Sequence, residues 1–437
     1  MSNLLVRPAS ALRGTLTVPG DKSISHRALI LAAIADGQSV IEGFLQAEDT
    51  LHTALALEAM GIEIAGLNSK RVMVGGLGLK GLRVPLDPIY LGNSGTSMRL
   101  LAGLVAGCDF AATFSGDESL SRRPMDRIAQ PLGMMGASVT GQGERCLPPI
   151  AVRGGKLRPI AYHTPVASAQ IKSAILLAGL HADGTTIVTE PSPSRDHTER
   201  TLAQFGAKIE TNGLNVRLQG PGNLKAQQVK VPGDISSAAY FLTAAQLVPD
   251  SQVTITQVGL NPTRTGLLEV LSAMGASLQV TSEIGRGEPA GQVVASSAPL
   301  CAGRVGGELL PRMIDEVPLF CVAAALADGV SEVTDAAELR VKESDRLAAM
   351  AAGLRRLGAE VEEREDGMLI RGGRPLKGAV CECYQDHRVA MSLAIAGLAA
   401  EGETVIRNAD CIATSFPGFA DCLRSLGAEV EWKGGQP

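Results

Sequence analysis

The sequence predicts an α/β (α+β) protein of two domains, assembled from six β-α-β-α-β-β units, three to a domain. Three observations lead there. The pattern Leu-x-x-x-Gly recurs at residues 57–61, 132–136, 202–206, 271–275, 354–358 and 423–427. Upstream of each copy stands an alanine- and leucine-rich run that ends in a turn: Asp36-Gly37, Ala106-Gly107, Asp183-Gly184, Pro249-Asp250, Asp328-Gly329 and Glu401-Gly402. Finally, Val18-Pro19-Gly20-Asp21 returns as Val231-Pro232-Gly233-Asp234, 213 positions later. A chain of 437 residues exceeds one ordinary core, so the duplicated stretch divides it near residues 20 and 234.

Each unit opens with a strand and a turn into its first helix. Asp or Ser at that helix start accepts from the unpaired backbone N–H groups of the first turn. The turn after the helix leads to strands such as Thr185-Thr186-Ile187-Val188 and Glu403-Thr404-Val405-Ile406. The second helix ends at the recurring glycine, which tolerates the left-handed backbone of a C-cap. Alternating stretches follow, among them Ala207-Lys208-Ile209-Glu210 and Ala359-Glu360-Val361-Glu362, and read as half-buried strands. The glycines lie 75, 70, 69, 83 and 69 residues apart. The long interval predicts an insertion at residues 283–304, rich in Gly, Pro, Ala and Ser, as a loop or edge.

Apolar residues at 45% and charged residues at 19% form a soluble globular composition. A net charge of −5 argues against a general nucleic-acid binder, which needs a basic face, while leaving room for a local basic pocket. The eight cysteines form no CxxC and, with six histidines, show no ligand-like spacing, so no metal site is expected. The cysteines read as core filling. Scattered thiols suit a reducing compartment. Residues 1–18 lack the apolar stretch of a signal peptide, and apolar runs stop short of the roughly 20 residues of a membrane span. A cytoplasmic protein without membrane or nucleic-acid partners is expected.

The starts of the six first helices differ in chemistry: Gly20-Asp21-Lys22-Ser23, Gly92-Asn93-Ser94-Gly95-Thr96, Ala167-Ser168-Ala169-Gln170, Gly233-Asp234-Ile235-Ser236, Ile314-Asp315-Glu316 and Gln385-Asp386-His387-Arg388. Helix N-termini carry partial positive charge and free N–H donors, so a cluster of them makes an anion site. Each contributes only about 0.3–1 kcal/mol when exposed, too little for a multiply charged ligand. Fixed cations stand near the second helices, in Arg122-Arg123-Pro124, Ser194-Arg195-Asp196-His197, Asn261-Pro262-Thr263-Arg264 and the run of residues 340–346. Arginine suits bidentate phosphate or carboxylate recognition, at about 1.5–3 kcal/mol per charge-assisted bond. Taken singly, Arg195, Asp196 and Arg264 are equally explained as caps or salt bridges, His26 and His387 as packed or capping, and Asp234 and Ser236 as capping. Lys22 with Arg27, and Lys342-Glu343 with Arg346, resist that explanation. They set cation, acid and cation on adjacent turns at matching points of the repeat.

In combination these stretches resemble the 5-enolpyruvylshikimate-3-phosphate synthase family over residues 5–426. The motifs are Gly20-Asp21-Lys22-Ser23-Ile24-Ser25-His26-Arg27, Leu91-Gly92-Asn93-Ser94-Gly95-Thr96-Ser97-Met98-Arg99, Arg123-Pro124-Met125, Ser168-Ala169-Gln170-Ile171-Lys172, Asn261-Pro262-Thr263-Arg264, residues 340–346 and Asp386-His387-Arg388. The Ser-Ala-Gln-x-Lys and Asn-x-Thr-Arg forms are similar to the class II branch. The resemblance implies the enolpyruvyl transferase fold, with three units of each domain around a pseudo-threefold axis, closing over substrates. It implies one domain of residues 1–19 plus 235–437 and another of 20–234, with hinge crossings near 18–22 and 231–235.

The implied activity is the shikimate-pathway step that joins phosphoenolpyruvate to the 5-hydroxyl of shikimate 3-phosphate and releases phosphate, without cofactor or metal. By matched position, Lys22, Ser23, Arg27, Ser168, Ala169, Gln170, Arg195, Asp315 and Lys342 would hold shikimate 3-phosphate. Lys22, Asn93, Gly95, Thr96, Arg123, Gln170, Arg346 and Arg388 would hold phosphoenolpyruvate. Asp315 would take the 5-hydroxyl proton, and Lys22 and Glu343 would handle protons at the bridging oxygen and C3. Small molecules are the partners implied, and a monomer suffices. Many members carry a Lys where Thr414 stands; His387 is a candidate to supply that charge. For the family's inhibitor, glyphosate, two signals oppose: Gly95 leaves room in the pocket, while the class II pattern points to tolerance.

Two other readings compete. The enolpyruvyl transferase of UDP-N-acetylglucosamine shares the architecture but carries a reactive cysteine beside an arginine; Cys108 and Cys146 lie in that region without its motif. A repeat scaffold without catalysis needs plain caps at all six starts, which Lys22, Arg123, Lys342 and Arg388 contradict.

Overall fold

The computed structural model describes residues 2–283 and 287–435. The chain divides into two compact units, Gly20–Val231 and Met1–Pro19 with Pro232–Pro437. Each has its own hydrophobic core. The first holds α1 (Lys22–Ala33), α2 (Glu48–Ala59), α3 (Gly95–Val105), α4 (Asp126–Met135), α5 (Ala169–Gly179) and α6 (His197–Gln204). The second holds α7 (Ile235–Leu247), α8 (Gly266–Ala273), α9 (Val317–Leu326), α10 (Arg346–Arg356), α11 (His387–Leu398) and α12 (Phe419–Ser425).

Among the described residues the strands form six four-stranded sheets of one pattern. Ala161–His163 shows it: this strand runs parallel to Gly184–Thr189, which pairs antiparallel with Asn215–Gly220, and Lys208–Asn212 closes the edge. Three sheets recruit one strand each from far away in sequence. Gln228–Lys230 pairs with Asp36–Glu42. The N-terminal strand Asn3–Val6 lies between Thr404–Arg407 and Val430–Lys433, and Arg13–Leu16 pairs with Gln252–Gly259. These pairings complete units that local sequence leaves one strand short.

The insertion expected at residues 283–304 needs correction. Residues 284–286 lie outside the described residues. Of the remainder, Ala290–Ser296 is an inner strand, paired on both sides, not a loop or edge. Gly291, Val293 and Ala295 are buried in alternation. That is a period-two signal, muted by the small residues that carry it.

Helices α1, α3 and α5 are buried on almost every face, as are α7, α9 and α11 in the other unit. Alanine and glycine are what allow such close packing. A Cβ on Gly103 of α3 would lie 2.4 Å from the Ala174 carbonyl oxygen of α5. The outer helices end as the sequence predicts. All six recurring glycines have positive φ, from 90° to 112°. In each case the residue after the glycine donates to the carbonyl of the repeated leucine, at 2.9–3.1 Å. This is the Schellman closure, which satisfies carbonyls the helix leaves open.

At Gly358 a Cβ would meet nothing within 4 Å, so substitution there isolates the backbone cost. Gly358→Ala should lower the unfolding free energy by about 1–2 kcal/mol. A denaturant midpoint equal to that of the parent would show that the cap does not depend on the left-handed residue.

Candidate active site

In the unit Gly20–Val231, the starts of α1, α3 and α5 are cross-linked by polar side chains. Asp21 caps α1 by accepting from the Ile24 N–H at 2.9 Å, which presents Lys22 and Ser23 on the first turn. The Lys22 ammonium pairs with Asp49 of α2 at 3.0 Å. One turn on, buried Arg27 donates from Nε to Thr198 Oγ1 at 2.6 Å, from Nη2 to Ser173 Oγ at 2.9 Å and from Nη1 to the Ser23 carbonyl at 2.9 Å. Thus α5 and α6 aim a guanidinium that α1 carries.

Gln170 of α5 donates to Thr96 Oγ1 at 3.0 Å and accepts from Arg99 at 2.8 Å. Arg123 reaches the Asn93 side chain at 2.5 Å and its carbonyl at 3.3 Å. A Cβ on Gly95 would stand 2.8 Å from Arg99 Nη1 and 3.3 Å from Arg123 Nη1, so glycine keeps these guanidinium groups close to the helix start. Ser168 occupies the N-cap of α5 without using its side chain as a cap, and Ala169 follows as the first helical residue. Arg195 is half-buried just before α6.

The other unit builds a charge cluster where α7, α9 and α11 begin. Arg346 has 1% of its side chain exposed and meets Asp386 at 2.9 Å, Glu343 at 2.5 Å and Asp315 at 3.3 Å. Burial alone would lower its pKa; the Asp386 and Glu343 carboxylates outweigh this and raise it. Arg388 lies 3.4 Å from the other oxygen of Asp315 and is likewise held up against burial by that carboxylate. Asp315 therefore stands between two guanidinium groups. Lys342 lies 3.5 Å from Glu338. Burial lowers the pKa of its ammonium, with Glu338 and Asp315 opposing, and the 28% of its side chain that still meets water moderates the effect.

Sequence reasoning mistook several residues and missed others. Asp234 is a cap, accepting from the Ser236 N–H at 2.9 Å, but Ser236 is not. Its hydroxyl accepts from Arg264 at 2.6 Å and donates to Glu316. Arg340 is braced by Asp345 at 2.7 Å and Glu363 at 3.0 Å. The cysteines are not all core: Cys301 is exposed, and Cys411 and Cys422 are half-buried. His387 is buried, with Nδ1 3.5 Å from Thr414 Oγ1, beside the position where the expected lysine is absent. Asp49, which pairs with Lys22, and Asp117, which accepts from the Asn93 side-chain amide at 2.7 Å, went unread because those partners are distant in sequence. Arg99 was legible in principle, one helical turn after Gly95.

Two buried groups hold the frame. Lys172 lies 2.6 Å from Glu190 and 2.7 Å from Glu199, tying α5 to α6. Burial pushes the Glu199 carboxyl up against the pull of Lys172. His26 is fully buried, with Nδ1 2.7 Å from Thr53 Oγ1, and burial drives its pKa down to about 3 despite Asp49. Among the described residues, no group of three or more His, Cys, Asp or Glu side chains is placed to hold a metal ion, and no helix is long and apolar enough to cross a membrane.

The family model for EPSP synthase (3-phosphoshikimate 1-carboxyvinyltransferase) matches residues 6–423. A protein of Pelotomaculum thermopropionicum named 3-phosphoshikimate 1-carboxyvinyltransferase is 53% identical over 432 residues, spanning 99% of this chain and 100% of that relative. One of the same name from Thermosynechococcus vestitus is 53% identical over 421 residues, spanning 95% of each. The solved structure of EPSP synthase from Acinetobacter baumannii superposes with a TM-score of 0.89 at 44% identity, covering 99% of this chain and 100% of that one.

The His26 shift has a testable sign. The unfolded chain takes up this proton near pH 6.5 and the folded protein only near 3, so the unfolded state binds more protons between them. Stability should fall as pH drops through that window, by up to about 1.4 kcal/mol per pH unit from this one group. His26→Gln should remove that part of the slope of unfolding free energy. An unchanged slope would contradict burial of a neutral imidazole.

Proposed function

We propose, from the premise that this chain belongs to the EPSP synthase (3-phosphoshikimate 1-carboxyvinyltransferase) family, the residues by which it binds and turns over its substrates. It is a transferase of the shikimate pathway, on the route to aromatic amino acids. It moves the enolpyruvyl group of phosphoenolpyruvate to the 5-hydroxyl of shikimate 3-phosphate and releases phosphate. The relatives bear this name over almost the whole chain, which leaves neither the nucleotide-sugar transferase nor the inert scaffold in contention.

In our assignment Lys22, Ser23, Arg27, Ser168, Ala169, Gln170, Arg195 and Lys342 hold shikimate 3-phosphate. Lys22, Asn93, Gly95, Thr96, Arg123, Gln170, Arg346 and Arg388 hold phosphoenolpyruvate. Four anionic groups on two substrates account for so many cations in a protein of net charge −5. The single observation that carries the reading is Asp315 between Arg346 and Arg388. A carboxylate beside two anion-binding guanidinium groups is where a base for an incoming hydroxyl belongs.

Asp315 removes the 5-hydroxyl proton as that oxygen bonds to C2, while C3 gains a proton. The tetrahedral intermediate then loses phosphate and a C3 proton, which restores the double bond. Lys22 and Glu343 serve the protons at the bridging oxygen and C3. The guanidinium groups stabilise charge that grows on phosphate as it leaves. We read the two units as the two domains and the working form as a cytoplasmic monomer, since one chain carries every assigned group; sedimentation at assay concentration checks the monomer.

Asp315→Ala should cut turnover by about 100-fold or more while leaving substrate binding within a few-fold. Turnover near that of the parent would remove Asp315 as the base. Arg123→Ala should instead raise the apparent KM for phosphoenolpyruvate by about tenfold to 100-fold, the scale of one charge-assisted pair. An unchanged KM would take Arg123 out of that site.

A further inference from the structure

Two cysteines face each other beside the proposed phosphoenolpyruvate groups and have no part in the transfer chemistry. Cys383 follows the strand Val380–Glu382. Cys411 lies in the 3-10 turn Ala409–Thr414, which follows the neighbouring parallel strand Thr404–Arg407. Their sulfurs are 3.8 Å apart. A disulfide needs about 2.05 Å, so an approach of less than about 2 Å would join them. Cys383 Sγ also lies 3.1 Å from the Arg407 carbonyl and 3.3 Å from that of Asn408, which fix the sulfur on the side of Cys411. Cys383 is buried, whereas half-buried Cys411 faces partly to solvent.

Both sulfurs sit on segments that hold functional groups. The Cys383 carbonyl accepts from the Asp386 N–H at 2.9 Å, across Tyr384 and Gln385, which have φ of 53° and 57°. Asp386 in turn caps α11 at Arg388 and binds Arg346 Nε. The Cys411 carbonyl accepts from Thr414 Oγ1 at 2.6 Å, and that hydroxyl lies beside His387. Drawing the sulfurs together would move both segments.

We propose that Cys383 and Cys411 are a reversible redox-modification site, closed to a disulfide by a peroxide, and that closure suppresses transfer by displacing Asp386 together with Arg346 and Arg388. The second half rests on the assignment of those arginines to phosphoenolpyruvate. Cys411, the thiol of the pair that meets solvent, is the one a peroxide reaches. Its thiolate attacks one oxygen of hydrogen peroxide, the O–O bond breaks, and the departing hydroxide takes the proton that Cys411 released. The sulfenic acid so formed stands beside the second thiol. The Cys383 thiolate then attacks Cys411 Sγ, the S–O bond breaks, and the second hydroxide takes the Cys383 proton. Two thiols lose two electrons, one peroxide gains them, and two waters form. A dithiol reverses the reaction.

The test uses the full-length enzyme, oxidised with hydrogen peroxide and then freed of it. Non-reducing peptide mapping should show the Cys383 and Cys411 peptides linked. Phosphate release should fall about 100-fold, the scale of a misplacement of about 1 Å in a site, and dithiothreitol should restore it. Cys411→Ser and Cys383→Ser should each keep the activity of the reduced enzyme and lose the reversible fall. Linkage at unchanged activity would overturn the switch; inactivation with both thiols still open to alkylation would overturn the disulfide. Mass mapping reads the linkage whatever the turnover, so a failure of the transferase assignment, seen as no phosphate release from reduced enzyme, stays distinguishable.

Discussion

A guanidinium that is almost wholly removed from water has to be matched by carboxylates, and Arg346 sets that requirement for its unit. A buried charge without partners costs several kcal/mol, so the three acids around Arg346 are fixed in place by the cost of moving any one. They arrive from three parts of the chain: Asp386 at the start of α11, Glu343 from the segment before α10, and Asp315 from the segment before α9. Meeting the demand of one side chain brings three helix starts together. It also leaves Asp315 shared with Arg388, which is the arrangement our proposed mechanism uses.

The unit Gly20–Val231 meets a similar problem differently. There hydroxyl, amide and carbonyl oxygens bracket Arg27, Arg99 and Arg123, as with Thr198 and Ser173 around Arg27. A buried triad, Lys172 with Glu190 and Glu199, locks α5 to α6 and so fixes the hydroxyls that aim Arg27. Alanine-rich inner helices make this possible in both units. Small side chains let three helices run close together, so that their N-termini, with free N–H groups and partial positive charge, share one neighbourhood. The repeat supplies the frame, and the few residues at each helix start are those to which we assign its function.

Legibility in the sequence followed the range of the interaction. The recurring glycines were readable because a left-handed C-cap is a local requirement, and every one of them adopts it. The six helix starts were readable because caps and turns are local too. What escaped was set by distant partners. The strands Asn3–Val6 and Gln228–Lys230 close sheets whose other strands lie far along the chain. Lys22 was found from its motif, but Asp49 is separated from it by 27 positions and shares no pattern with it. Ser236 looked like a cap because it stands at a helix start; only tertiary structure shows its hydroxyl between Arg264 and Glu316. Cys383 and Cys411 looked like filler for the same reason, since nothing local marks two thiols from adjacent strand ends as neighbours.

The central claim is that the charged helix starts of both units bind two anionic substrates for one transfer. The most direct measurement follows phosphate release by purified protein given shikimate 3-phosphate and phosphoenolpyruvate, with each omitted in turn and a chelator present. Release that needs both substrates and is indifferent to the chelator is the predicted result. Release from phosphoenolpyruvate alone, or none with both present, would contradict it.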